Sequence, residues 1–151
     1  MSDLTYRLAN AAGLGVIAAL GIDVRVHGVE RIPEHGAVLL AANHDSFLDF
    51  VMLERAAVER RRYVRFLTRY DAWKGQPLSW LLDRMRHVPV DRSAPAASYL
   101  MARRLLREGE AIGVFPEAGL SHARTIRPLM RGAAALSRDT GAPVVPVAMW
   151  G

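Results

Sequence analysis

Short unbroken apolar runs alternate along the chain with longer segments in which apolar and polar residues mix at helical spacing. Ala37 to Ala42 and Ala111 to Phe115 are such runs, the pattern of buried strands, and Pro143 to Met149 reads as a last strand. Tyr63 to Thr68 and His87 to Val90 read as further extended pieces. Asp23 to His27 alternates, which predicts a half-exposed strand. Between these lie predicted helices. One covers Phe47 to Leu53, with Asp45 or Ser46 as its N-cap. A second, over Asp71 to Met85, is interrupted near Gly75 and Pro77. A third spans Ser93 to Glu108, with Pro95 in its first turn and Gly109 beyond its end. A fourth runs from Leu129 to Thr140 and is closed by Gly141. Alternating strands and helices predict an α/β fold with a mainly parallel sheet flanked by helices. Sites in such sheets lie beyond the carboxyl ends of the strands.

The N-terminus reads differently. Leu8 to Ile22 is apolar apart from Asn10, yet shorter than the roughly 20 residues a spanning helix needs. It predicts an apolar helix lying at a membrane interface or docked on the domain. The expected organisation is this helix over 1–22 and a core over 23–151.

Composition narrows the chemistry. Cysteine is absent from the 151 residues, which excludes disulfides, thiolate nucleophiles and Cys-based zinc sites. The net charge is +5, and Lys74 is the sole Lys among 20 basic residues. GC-rich coding bias yields such an Arg excess; so does recognition of phosphate or an anionic surface, since a guanidinium fork grips phosphate with two hydrogen bonds. Basic residues are scattered rather than interleaved with aromatics, so no nucleic-acid partner is expected. His27, His35, His87 and His122 lack a ligand spacing, so no metal is expected, and most of them should be solvated. Trp73 and Trp150 suit a headgroup layer, whereas Trp80 should pack in the core.

His44 and Asp49 stand five residues apart at a strand-to-helix turn. A carboxylate so placed fixes the tautomer of an imidazole and stabilises the imidazolium formed when it takes a proton. Ser46 is better placed to cap the helix than to attack. A dyad without a protein nucleophile suits deprotonation of a substrate hydroxyl. Backbone N–H groups at the helix start are candidate oxyanion donors.

Three further segments follow strands: Val88-Pro89-Val90-Asp91-Arg92, Phe115-Pro116-Glu117-Ala118-Gly119-Leu120-Ser121 and Ala142 to Ala148, which carries Pro143 and Pro146. Together with Asn43-His44-Asp45-Ser46-Phe47-Leu48-Asp49, and in this order, they resemble the four sequence blocks of the bacterial 1-acylglycerol-3-phosphate acyltransferases, within the glycerolipid acyltransferases. The resemblance runs from about Val24 to the last residue and implies the glycerol-3-phosphate acyltransferase fold. It implies His44 as base, Asp49 as its orienting partner and Arg92 as a phosphate ligand. Asn43, Ser46, Phe115, Pro116 and Pro146 match the blocks, as do Glu117 and Ser121 on the substrate side. Glu117 would bind an acceptor hydroxyl or brace the arginines.

The third block departs from its usual F-P-E-G-T-R-S. Ala118, Gly119 and Leu120 stand where Gly, Thr and Arg are usual, so one phosphate-binding Arg is missing. Arg124, Arg127 or Arg131 would supply the charge, and Gly119 a close backbone approach. The family also continues past the fourth block, so a C-terminally truncated or minimal form is expected.

The implied reaction moves an acyl group from acyl-CoA or acyl-carrier protein, as co-substrate, to a lysophospholipid hydroxyl, with no cofactor. It would run at the cytoplasmic face of the bacterial plasma membrane, through peripheral or interfacial attachment. A hydrolase or transacylase using the same dyad and a non-catalytic lipid- or acyl-CoA-binding module are the alternatives.

Overall fold

The computed structural model describes residues 3–121 and 125–151. Five strands form one parallel sheet: β1 (Val38–Ala42), β2 (Val64–Arg69), β3 (Val88–Val90), β4 (Ala111–Val114) and β5 (Val144–Val147). Their spatial order is β3-β2-β4-β1-β5, and every pairing is parallel. The helices are α1 (Asp3–Ala19), α2 (Asp49–Glu59), α3 (Leu78–Arg84), α4 (Pro95–Arg107) and α5 (Gly132–Thr140). Short 3-10 turns lie at Val29–Arg31 and Tyr70–Trp73.

Strands β1 and β4 are apolar throughout because both faces are covered. Val38, Leu40 and Ala42 of β1 join a core with Leu53, Ala56 and Ala57 of α2, while Leu39 joins Leu105 and Leu106 of α4 and Leu136 of α5. Neighbouring residues of a strand point to opposite faces, so one run serves two cores. Gly113 of β4 is fixed by packing, because a Cβ there would lie 2.6 Å from the Phe66 ring and 2.7 Å from Val64. Pro146 is tolerated because β5 is an edge strand, where one side of the backbone needs no partner.

The N-terminal helix docks on α2 and α3, where Gly13 lets Val51 approach. Tyr6 and Ile17 are buried, while Leu4, Leu8, Val16 and Leu20 face outward. Tyr6 donates to Glu54 Oε2 at 2.9 Å, and the Val64 N–H reaches the same oxygen at 3.0 Å. Among the described residues no helix is long and apolar enough to cross a membrane.

Five expectations need correction. Asp23 to His27 is not a strand. Val24 and Val26 do turn inward, and Val26 packs on the core, which accounts for the alternation, yet no strand among the described residues pairs with the segment. The helix expected from Phe47 begins at Asp49, with Leu48 rather than Asp45 or Ser46 at its N-cap. The helix expected from Leu129 begins at Gly132. His87 is buried, accepting the Phe66 N–H at Nδ1 over 3.0 Å. Trp80 is 49% exposed with Arg84 over its ring, so it lies outside the core.

Candidate active site

The carboxyl end of β1 leads directly into Asn43 and His44, and that of β4 into Phe115 to Ser121. These strands are neighbours, so the two loops meet. Glu117 Oε1 accepts the His44 N–H at 2.9 Å, and the Ser121 N–H donates to His44 O at 2.7 Å. The main chain of His44 is thus held on both sides by one segment. Its ring stacks on Phe115, with centroids 4.1 Å apart and planes tilted by 19°.

Asp49 sits in the first turn of α2, where a carboxylate also complements the helix dipole. It is 3% exposed. Its Oδ2 accepts the N–H groups of Asp45 at 2.8 Å and Ser46 at 2.9 Å, and lies 3.0 Å from His44 Nδ1. An ionised carboxylate only accepts, so Nδ1 carries the proton and Nε2 holds a lone pair. The imidazole side chain is 20% exposed, and among the described residues Asp49 is its one hydrogen-bond partner.

The same geometry changes two expectations. Asp45 and Ser46 spend their amides on Asp49, and Leu48 donates to Ser46 Oγ at 3.1 Å, so these three N–H groups are not free for an oxyanion, while that of Phe47 has no partner among the described residues. Ser46 closes the turn ahead of the helix instead of capping it.

Glu117 and Ser121 face the fold. Glu117 is buried, and its second oxygen accepts the Arg127 N–H at 2.8 Å. Each carboxylate oxygen therefore holds a backbone amide, which makes Glu117 a brace between loops and leaves it poorly placed for an acceptor hydroxyl. Ser121 Oγ bonds Thr125 O and takes the Thr125 N–H at 3.2 Å. Pro116 O accepts from Met130 N at 2.8 Å. Asn43 pairs its side-chain amide with both backbone groups of Met149, at 2.8 and 2.7 Å, tying the end of β5 to the dyad loop.

Arg92 is exposed beyond β3 and donates from Nη2 to Ala118 O at 2.6 Å. Ala118 adopts φ of +54°, the left-handed region that favours Gly, the residue usual there. Arg127 lies against Gly119. Arg131, exposed at the N-cap of α5, makes no side-chain hydrogen bond among the described residues. Arg124 and His122 lie outside the described residues. No group of three or more His, Cys, Asp and Glu able to hold a metal occurs among the described residues.

Known proteins resemble this chain in sequence and in fold. The family model described as Acyltransferase matches residues 23–150. The 1-acyl-sn-glycerol-3-phosphate acyltransferase of Bacillus subtilis is 28% identical over 142 residues, covering 93% of this chain and 69% of that protein. The human 1-acyl-sn-glycerol-3-phosphate acyltransferase alpha is 30% identical over 132 residues, covering 85% of this chain and 46% of that protein. The crystal structure of the 1-acyl-sn-glycerophosphate (LPA) acyltransferase PlsC from Thermotoga maritima shares the fold, with a TM-score of 0.84 at 24% identity. That match covers 99% of this chain and 59% of the other. The chain thus spans between about a third and two thirds of the length of the relatives it matches.

Proposed function

The chain belongs to the Acyltransferase family, and from that premise we propose that it acylates the free hydroxyl of 1-acylglycerol 3-phosphate, using a thioester donor and giving phosphatidic acid. The donor is acyl-CoA or acyl-carrier protein. The reading rests on one observation above all: Asp49 holds the Nδ1–H of His44 while the imidazole stays accessible. Relatives named for this reaction support the acceptor.

In this mechanism His44 Nε2 takes the proton of the acceptor hydroxyl as its oxygen attacks the thioester carbonyl. Asp49 steadies the imidazolium that results. The tetrahedral intermediate collapses, the C–S bond breaks, and the imidazolium returns the proton to the departing thiolate. Direct attack needs no covalent acyl-enzyme, which fits a Ser46 hydroxyl already engaged in the turn. Glu117 and Phe115 set the position of His44. Arg92 contributes charge toward the acceptor phosphate.

The outward face of α1, together with exposed Trp80 and Trp150, supports attachment at a membrane interface. We place that interface at the cytoplasmic face of the bacterial plasma membrane. Flotation with anionic vesicles tests the attachment: Leu4→Glu/Leu8→Glu should release the chain. The reaction itself is tested by phosphatidic acid formation from labelled acyl-CoA and lysophosphatidic acid, which His44→Ala should abolish.

A further inference from the structure

Two guanidinium groups converge on the main chain of residues 118–120. Arg92 donates to Ala118 O at 2.6 Å, and Arg127 brings Nη1 to 3.5 Å from Leu120 O. The same Nη1 lies 2.6 Å from the point a Cβ on Gly119 would occupy. Any side chain at 119 would therefore displace the Arg127 guanidinium. Among the described residues neither arginine has a carboxylate within ion-pair distance, whereas eight other arginines do.

Neither charge is met by a carboxylate among the described residues, so an anion bound at this loop is attracted by both. Each guanidinium has five N–H donors, and each spends one of them on the loop. The remaining donors form forks suited to the oxygens of a phosphate monoester. The loop is also fixed relative to the dyad, since Glu117 holds the His44 and Arg127 amides on its two oxygens.

We infer that Arg127 is the second phosphate-binding cation of this chain, and that Gly119 is the space it fills. Leu120 leaves the third block without a cation of its own, and Arg127 reaches the same loop from ten residues beyond Glu117. The ligand is a phosphate monoester; its identity as the headgroup of lysophosphatidate rests on the acyl-transfer reading above.

The test is calorimetric binding of short-chain lysophosphatidate, monoacylglycerol and inorganic phosphate, followed by acyl-transfer kinetics on the two lipids. Arg127→Ala and Gly119→Thr should each weaken lysophosphatidate binding by about tenfold or more, the loss of a charge-assisted hydrogen bond. KM for lysophosphatidate should rise alike, with kcat and monoacylglycerol kinetics changed little. Leu120→Arg in the Arg127→Ala background should restore binding. Arg127 is exposed and the clash at 119 is with the end of a flexible side chain, so both variants should fold. Unchanged binding in Arg127→Ala, or an equal loss for monoacylglycerol, overturns the inference. Inorganic phosphate binding as tightly as lysophosphatidate overturns the headgroup assignment. Should wild type bind lysophosphatidate yet transfer no acyl group, the acyl-transfer reading fails while the binding arm still decides Arg127.

Discussion

Glu117 holds His44 by its backbone: a buried carboxylate oxygen at the end of β4 accepts the His44 N–H at 2.9 Å, at the end of β1. The other oxygen holds the Arg127 N–H at 2.8 Å. Gln offers one acceptor where Glu offers two, so Glu117→Gln leaves one buried amide facing an NH2 group. The expected cost is about 1–3 kcal/mol, read by urea unfolding. The turnover number should fall more than KM changes, since the residue positions His44 without touching substrate.

Ala118 occupies a left-handed backbone conformation with φ of +54°. Cβ makes that region costly by about 1–2 kcal/mol, while Gly gives back part of the gain through its greater freedom when unfolded. Ala118→Gly should therefore raise stability, by about 0.5–1 kcal/mol. The urea midpoint should increase with an unchanged slope; a lower midpoint would contradict the account.

Gly113 lies beneath Phe66, with no room for a methyl group. Gly113→Ala forces the ring or Val64 to move, at about 1–3 kcal/mol. Because Phe66 also stacks on Phe115, the strain should reach the His44 ring and show as a shifted imidazole resonance in NMR spectra.

Two buried titratable groups give opposing pH dependences. Burial pushes Glu54 up from 4.5 to about 7, against the favourable Val64 N–H, Tyr6 hydroxyl and Arg65. Burial, then the charge of Arg65, pushes His87 down from 6.5 to about 4. Between pH 4.5 and 6.5 the folded state keeps a proton on Glu54, and the unfolded state keeps one on His87. The proton counts match, and these two contributions cancel. Glu54→Gln leaves His87 alone, and its contribution should make stability rise by about 3 kcal/mol from pH 4 to 6.5. His87→Gln leaves Glu54 alone, and stability should fall by a similar amount from pH 4.5 to 7. Denaturant titrations across this range distinguish the two slopes.

The sheet was legible because apolar runs such as Val38 to Ala42 are too short for helices and are buried on both faces, while Val144 to Val147 keeps the run at an edge with one face exposed. The dyad was legible because a five-residue spacing across a strand-to-helix turn brings a carboxylate to an imidazole. Asp23 to His27 misled because alternation reports which side chains turn inward and says nothing of a hydrogen-bonding partner. Periodicity also cannot show where a polar side chain points. Glu117 therefore read as either an acceptor-hydroxyl ligand or a brace for the arginines, and it braces two loops through the His44 and Arg127 amides. His87 falls among the histidines expected to be mostly solvated, and it accepts from Phe66. α2 starts late because Asp49 holds the Asp45 and Ser46 amides in a turn ahead of it.

The central claim is that His44, oriented by Asp49, is the base of an acyl transfer. The most direct measurement compares phosphatidic acid formation from radiolabelled acyl-CoA and lysophosphatidic acid by wild type, His44→Ala and Asp49→Asn, each checked for folding by circular dichroism. Wild type should form phosphatidic acid. Both variants should lose about a hundredfold or more in kcat, with lysophosphatidate binding retained. Equal rates in wild type and His44→Ala, or release of free fatty acid with no acylated product, would contradict the account.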